Sequence, residues 1–434
     1  MHDLCKNLRV SPEGRLLFHE RDLKELAETY GTPLYLFDED RIREMCRLYR
    51  SAMQEAFGED ALPLYASKAA SFTHMYRIMK EEGMGCDVVS RGEIATAKNA
   101  GFDLSRAFYH SNNKTDEDIA FALQCGVGCF VADNEEEVRA VSRIAASFGK
   151  KARLLLRITP GIDPHTYEEV ATGKVDSKFG SAIETGQAME ICRLALSVPA
   201  VSLEGFHCHV GSQVFDADVF CRSVDVMVDF LAEVKRELGF EASVLDLGGG
   251  WGVRYVHSDP VYDLRACILT VGETFRRAVA RCGIKAPRIL MEPGRSIVAD
   301  AGLTLYTVGT VKRIPGYKNY VSVNGGMADN PRFALYGSAY TVCLPEKMAE
   351  EAQDTYSVVG CCCESGDIIQ ENVALPASVT RGDLLAVLTT GAYNYSMASH
   401  YNRIPKPPVV MLSGEGERIA VRRETAEDMF RYDE

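Results

Sequence analysis

Short apolar runs separated by amphipathic stretches dominate the first two thirds of the chain. The runs are Leu62–Ala66, Cys86–Val89, Ala107–Tyr109, Cys129–Ala132, Arg153–Ile158, Leu203–His209, Val244–Leu247 and Arg288–Met291. Runs that are apolar nearly throughout predict strands of a parallel sheet covered on both faces. The stretches between them carry the helical period: in Asp38–Phe57, apolar Ile42, Met45, Cys46, Tyr49, Met53 and Phe57 recur at intervals of three, four and seven. Asn134–Gly149 opens on Asn, continues with Glu135-Glu136-Glu137 and closes on Gly149, the pattern of a capped helix. Such strand–helix units, repeated over roughly 250 residues, predict a (β/α)8 barrel of the α/β class. A doubly wound sheet is the alternative, with fewer strands.

The rhythm changes near residue 300. Thr304–Ile314, Tyr320–Val323, Thr355–Cys362, Asp367–Val373, Asp383–Leu388 and Val409–Leu412 are β-rich and split by Gly, Pro and Asn. Few helical stretches separate them, so an antiparallel β-sandwich or barrel is expected there. The division predicted is an N-terminal segment over 1–36 that joins the β domain, a barrel over 37–298 and a C-terminal β domain over 299–434. Within the first segment, Arg15–Phe18 reads as a strand and Asp22–Tyr30 as a helix.

Composition narrows the partners. The 434 residues carry 48 Lys+Arg against 61 Asp+Glu, a net charge of −13, and no basic run. Nucleic acid is therefore not the expected partner. No apolar stretch reaches the roughly 20 residues a bilayer span needs, and the first residues do not open a signal peptide. The 14 cysteines include Cys361-Cys362-Cys363 but no Cys-x-x-Cys pair, which predicts reduced thiols in a cytoplasmic compartment and no metal there.

Active sites of such barrels lie at the C-terminal ends of the strands. The polar residues at or just past the ends of the runs are Ser67-Lys68, Ser90, His110 with Asn112, Asp133, Arg157, His209 with Ser212, Gly248-Gly249-Gly250, and Glu292 with Arg295. Lys68 is either a solvated strand-end lysine or one that forms a Schiff base with a carbonyl. The three glycines make either a tight turn or an anion cradle of backbone N–H groups. His207-Cys208-His209 places two rings on one side of a strand, which suits a packed pair, a metal, or a ring laid over a flat cofactor. No second His-x-His accompanies it. Glu292 is either half of a surface pair with Arg295 or a carboxylate facing a protonated pyridine nitrogen. Taken jointly, lysine, glycines, serine, histidine and glutamate fit one cofactor, pyridoxal 5′-phosphate.

Ordered blocks now carry a resemblance over essentially the whole chain. They are Tyr65-Ala66-Ser67-Lys68-Ala69, Gly205 to Gln213 (GFHCHVGSQ), Leu247-Gly248-Gly249-Gly250, Glu292-Pro293-Gly294-Arg295-Ser296, Pro331 to Tyr336 (PRFALY), Cys363-Glu364-Ser365-Gly366-Asp367 and Gly391-Ala392-Tyr393. Thr172-Gly173 and Ser177-Lys178-Phe179-Gly180 agree too. The sequence resembles the fold-type III pyridoxal-phosphate decarboxylases, the group on the alanine racemase-like barrel, and within it the diaminopimelate decarboxylase family. The resemblance implies that Lys68 and Cys363 are catalytic, Lys68 bearing the cofactor and Cys363 donating a proton. It implies that His209, Ser212, Gly248, Gly249, Gly250, Glu292, Gly294, Arg295 and Tyr393 bind the cofactor, and that Arg295, Arg332, Tyr336, Glu364 and Tyr393 bind the substrate. It implies a homodimer, with Cys363 and Glu364 reaching the partner's site, and decarboxylation of meso-2,6-diaminopimelate to L-lysine, the last step of lysine biosynthesis.

Departures from the family pattern are few. His400 stands where Asn is usual, Asn324 where Asp is common, and Ser111 and Thr115 are small changes. A decarboxylase of ornithine, arginine or a carboxylated polyamine (the carboxynorspermidine type) shares the scaffold, and an amino-acid racemase is a different reaction on the same barrel.

Overall fold

A computed structural model describes residues 4–162 and 178–434. The chain divides into two compact units, one of Met45–Gly252 with Tyr262–Gly294, the other of Met1–Glu44 with Val253–Val261 and Arg295–Glu434. Thr172, Gly173 and Ser177 lie outside the described residues.

Among the described residues of the first unit, eight parallel strands form a ring, with the two-residue strand Ser181–Ala182 added beside the fifth: Leu62–Ala66, Gly85–Val88, Ala107–Tyr109, Cys129–Ala132, Ala152–Thr159, Val201–His207, Val244–Asp246 and Arg288–Met291. Each pairs with the next, and the last closes on the first through Leu290↔Leu62 and Met291↔Pro63. This closure makes a (β/α)8 barrel and rules out an open doubly wound sheet. Alternation along the strands turns Leu62, Leu64, Phe108, Cys129, Val131, Leu155, Val244 and Leu290 into one buried cluster. Truncating one of them, Leu155 for instance, costs about 2–5 kcal/mol.

Local signals set the helices as the sequence predicts. Helix Glu135–Ser147 starts where Asn134 Oδ1 accepts from the Glu137 N–H at 3.0 Å, and three glutamates fill its first turn. Helix Ala217–Leu238 is capped by Asp216, and Gly239 ends it at φ 66, a conformation a side chain would strain.

The second unit is built on a sheet in the order Ile368–Leu375, Asp354–Val359, Asn319–Val323, Gly302–Arg313, Leu34–Asp38, Val409–Ser413, Gly416–Val421, with Leu384–Leu388 also paired to Gly302–Arg313. Most pairs are antiparallel, but Asn319–Val323 with Asp354–Val359 and Leu34–Asp38 with Val409–Ser413 run parallel. Apolar patterning carries no strand direction, and the second of these pairs joins opposite ends of the chain. The short strands Leu8–Val10 and Leu16–Phe18 and the helix Leu23–Tyr30 give Leu8, Leu16, Phe18, Leu23 and Leu26 to the same core as Leu303, Leu305, Leu384 and Leu388. Among the described residues, no helix is long and apolar enough to cross a membrane.

Candidate active site

Strand register gathers polar side chains at the C-terminal ends of the barrel strands. Ala66 lies beside Asp87, and Arg157, His207 and Asp246 stand side by side on three neighbouring strands. Lys68 sits in the turn Ser67–Ala69 just past the first strand, its Nζ 3.1 Å from Asp87 Oδ2. The carboxylate is buried and the lysine side chain half exposed. Beyond it, Glu292 is enclosed by two imidazoles: His110 Nε2 lies 2.7 Å from Oε1, and His207 Nε2 lies 3.2 Å from Oε2. The two rings meet edge to face with centroids 4.9 Å apart.

Burial raises the proton affinity of Glu292, but the ring nitrogens of His110 and His207 set against it outweigh that and hold the carboxyl well below its ordinary value. Asp246 moves the other way, pushed well up by burial and by the charge of Glu292. The two buried acids are thus driven apart, Glu292 toward the anion and Asp246 toward the protonated form. Burial also lowers His207 to about 4 and His209 well below its ordinary value, the latter with help from Arg157 and Lys68. His209 is therefore a neutral ring, suited to lie over a cationic heterocycle.

The three glycines turn beside this cluster, and space requires all three. A Cβ on Gly248 would meet Cys208 O at 2.4 Å, one on Gly249 would meet Glu292 O at 2.1 Å, and one on Gly250 would meet Gly211 O at 2.2 Å. Val214 N–H bonds Gly250 O and Gly252 N–H bonds Val214 O, so the segment with Ser212 runs alongside the turn. Gly294 abuts Ala66, 2.9 Å from a built Cβ. Gly248 N–H donates to Asp246 Oδ1 at 2.9 Å, while Asp246 Oδ2 and His207 Nδ1 are buried with no hydrogen-bond partner. Orphaned buried polar atoms beside a side-chain-free cradle fit a bound polar ring with an anionic tail. His110, His207, Asp246 and Glu292 also bring four ligand atoms within 4.8 Å, a set that includes both acids. His207 Nε2 bonds the carboxylate while His110 Nε2 and Glu292 Oε1 are left without a hydrogen-bond partner, which suits a ring nitrogen held by that carboxylate.

The other unit carries a second cluster. Arg295 and Arg332 are both buried. Arg295 Nη1 donates to Tyr255 OH at 2.6 Å, and Arg332 donates to Tyr340 OH at 2.8 Å and Ser338 Oγ at 3.2 Å. Tyr393, in the left-handed region at φ 64, places its ring 4.8 Å from the Arg295 guanidinium and 6.0 Å from that of Arg332. Tyr336 ends the short helix Arg332–Tyr336 and is exposed. Cys363 and Glu364 are exposed, with Cys363 N–H donating to Asn402 Oδ1 at 2.8 Å.

Of the remaining strand-end residues, Ser90 caps helix Arg91–Asn99, and Asp133 lies 4.0 Å from Arg157. Sequence reasoning passed over Asp87, Asp246, Tyr255 and Tyr340. The first two had a signal, a charge inside an otherwise apolar strand, which only a polar site can hold. The departures are structural: His400 Nε2 is 2.7 Å from Glu424 Oε2, and Asn324 accepts from the Thr307 N–H and donates to Thr32 Oγ1.

Comparison with known proteins agrees with this geometry. Residues 39–299 match the family described as pyridoxal-dependent decarboxylase, pyridoxal binding domain. The chain is 41% identical over 425 residues to the diaminopimelate decarboxylase of Halalkalibacterium halodurans and 42% identical over 425 residues to that of Bacillus subtilis, covering 98% of this chain and 96% of each relative. A crystal structure of the diaminopimelate decarboxylase of M. jannaschii with L-lysine superposes with a TM-score of 0.90 at 31% identity, over 99% of this chain and 98% of that one. The cofactor of these decarboxylases is pyridoxal 5′-phosphate. The chain belongs to the diaminopimelate decarboxylase family of pyridoxal-dependent carboxy-lyases.

Proposed function

We propose that this enzyme decarboxylates meso-2,6-diaminopimelate to L-lysine and CO2, and that the side chains described above divide the work. The observation that carries the reading is the buried Glu292 carboxylate, set within 3.2 Å of both His110 and His207 at the rim that also holds Lys68 and the glycine turn. Pyridoxal 5′-phosphate, when bound, supplies the electron sink for breaking the Cα–carboxylate bond. Lys68 would hold its aldehyde carbon, Glu292 its ring nitrogen, His209 its ring face, and Gly248, Gly249, Gly250, Ser212 and Gly294 its phosphate end. As an anion, Glu292 would hold a proton on that nitrogen and favour the electron-poor ring.

Arg295 and Arg332 would take the carboxylate that is retained, because a guanidinium offers a planar fork to it. Two buried cations favour a substrate with a second carboxylate over ornithine, whose far end is an ammonium. Tyr393 would contact both cofactor and substrate, and Tyr336 the substrate. Cys363 would return a proton to the carbon that has lost CO2, and Glu364 would bind the distal ammonium. Both are exposed on one loop of this chain, which suits delivery to a second copy and a homodimer with shared sites. A cytoplasmic location fits the 14 cysteines, all free thiols in the structure.

The test is CO2 release from a panel of amino acids by enzyme loaded with the cofactor. Release from meso-2,6-diaminopimelate, with little from ornithine, arginine or carboxynorspermidine and no loss on adding a chelator, is expected. Release from ornithine alone, or exchange of the α-hydrogen without CO2, would overturn the reading.

A further inference from the structure

A buried guanidinium needs an acceptor, and two of them in one cluster also repel each other. Among the described residues, Arg332 makes no ion pair with a carboxylate, and it donates to Tyr340 OH and Ser338 Oγ. Both guanidiniums face one further ring, that of Tyr255, with the Arg332 carbon 5.1 Å and the Arg295 carbon 5.8 Å from its centroid. The Tyr255 hydroxyl accepts from Arg295 Nη1 at 2.6 Å. Burial alone would raise this phenol, yet the charges of Arg295 and Arg332 carry it below its ordinary value.

Tyr255 is fixed without help from the arginines. Its N–H donates to Asp259 Oδ2 at 2.7 Å, its carbonyl accepts from Thr341 Oγ1 at 2.8 Å, and its ring meets Tyr340 edge-on at 5.3 Å. It belongs to Val253–Val261, a segment that lies between barrel strands in the chain yet folds with the arginine-bearing unit. A phenol oxygen takes one nitrogen of a guanidinium, whereas a resident carboxylate would take the fork bidentately and compete with an incoming one.

We propose that Tyr255 is a positioning residue, the anchored acceptor that aims Arg295 and Arg332 at the retained carboxylate of the substrate. The inference rests on the functional reading given above. It assigns Tyr255 to binding of the carboxylate and to no part of the bond-breaking chemistry. An interaction of that kind, made equally in ground and transition states, moves KM and leaves kcat in place.

The experiment compares wild-type holoenzyme with Tyr255→Phe, which keeps the ring against Tyr340. KM for meso-2,6-diaminopimelate is expected to rise about tenfold, the size of one hydrogen bond to a charged group, with kcat within about threefold. Calorimetric binding of L-lysine, which keeps the carboxylate, should weaken by a similar factor, while 1,5-diaminopentane, which lacks it, binds both enzymes alike. Thr341→Val, which removes the carbonyl anchor and leaves both arginines untouched, should shift KM in the same direction should the first variant fail to fold. Equal weakening of both ligands, or a fall in kcat at constant KM, would overturn the assignment. Wild-type enzyme that releases no CO2 from the diacid would bring down the functional reading with it. Wild-type turnover with unchanged KM and lysine binding in Tyr255→Phe would overturn this inference alone.

Discussion

Glu292 Oε2 stands 3.2 Å from His207 Nε2, inside a barrel where both residues are buried. His110 and His207 offset the burial that would protonate the carboxylate and hold it below its ordinary range. In the proposed function its charge would face the ring nitrogen of the cofactor. Glu292→Gln keeps the shape and removes the charge. The change should lower kcat by about 10²–10³-fold, the usual scale for losing one preorganised electrostatic group, while the cofactor stays bound. Steady-state kinetics on the loaded variant measure this, and a kcat within threefold of wild type would remove Glu292 from the mechanism.

His207 also makes stability depend on pH. Burial lowers it to about 4 in the folded barrel, whereas an unfolded imidazole titrates near 6.5. Between those values the unfolded chain binds the additional proton. The contribution is fully present above about pH 6.5 and is lost as pH falls toward 4, amounting to about 3 kcal/mol at most. His207→Gln should therefore lose less stability than wild type on going from pH 7.5 to 5, in urea unfolding of the cofactor-free protein. Equal losses in the two proteins would contradict this.

The glycine turn should tolerate no side chain. A Cβ at Gly249 would lie 2.1 Å from the backbone oxygen of Glu292, so Gly249→Ala must displace either the turn or the glutamate. Overpacking of this kind costs about 1–3 kcal/mol, and cofactor affinity should fall at least tenfold. Trp251, the single tryptophan, stacks on Phe220 with centroids 3.9 Å apart just past the turn, and its fluorescence should report binding. Wild-type affinity in Gly249→Ala would show that the cradle does not hold the phosphate.

The proposed sharing of sites between two chains has its own test. Lys68→Ala and Cys363→Ala should each be nearly inactive, the second by about 10²–10⁴-fold as expected for loss of a proton donor. If each site draws Cys363 from the partner chain, mixing and re-forming dimers restores one intact site in each hybrid. Verified hybrids with no recovered activity would place both residues in a single chain's site.

The barrel was legible because each strand is an apolar run ending in a polar residue, from Ala66 before Ser67-Lys68 to Met291 before Glu292. Lys68, His209 and the glycines stand at those ends, where periodicity alone points. Asp87 and Asp246 were not found this way because they sit within the apolar runs Cys86–Val89 and Val244–Leu247 rather than past their ends. Tyr255 lies in an irregular segment with no pattern, and its partners Arg295 and Arg332 are remote in sequence. Strand direction in the second unit was illegible for a related reason: the parallel pairing of Leu34–Asp38 with Val409–Ser413 is decided by contacts between chain ends.

The most direct measurement is borohydride reduction of the enzyme loaded with pyridoxal 5′-phosphate, followed by digestion and peptide mass spectrometry. The account predicts one phosphopyridoxyl group per chain, on the peptide that contains Lys68, and none in Lys68→Ala. A stoichiometric label on another lysine, with Lys68 unmodified, would contradict it.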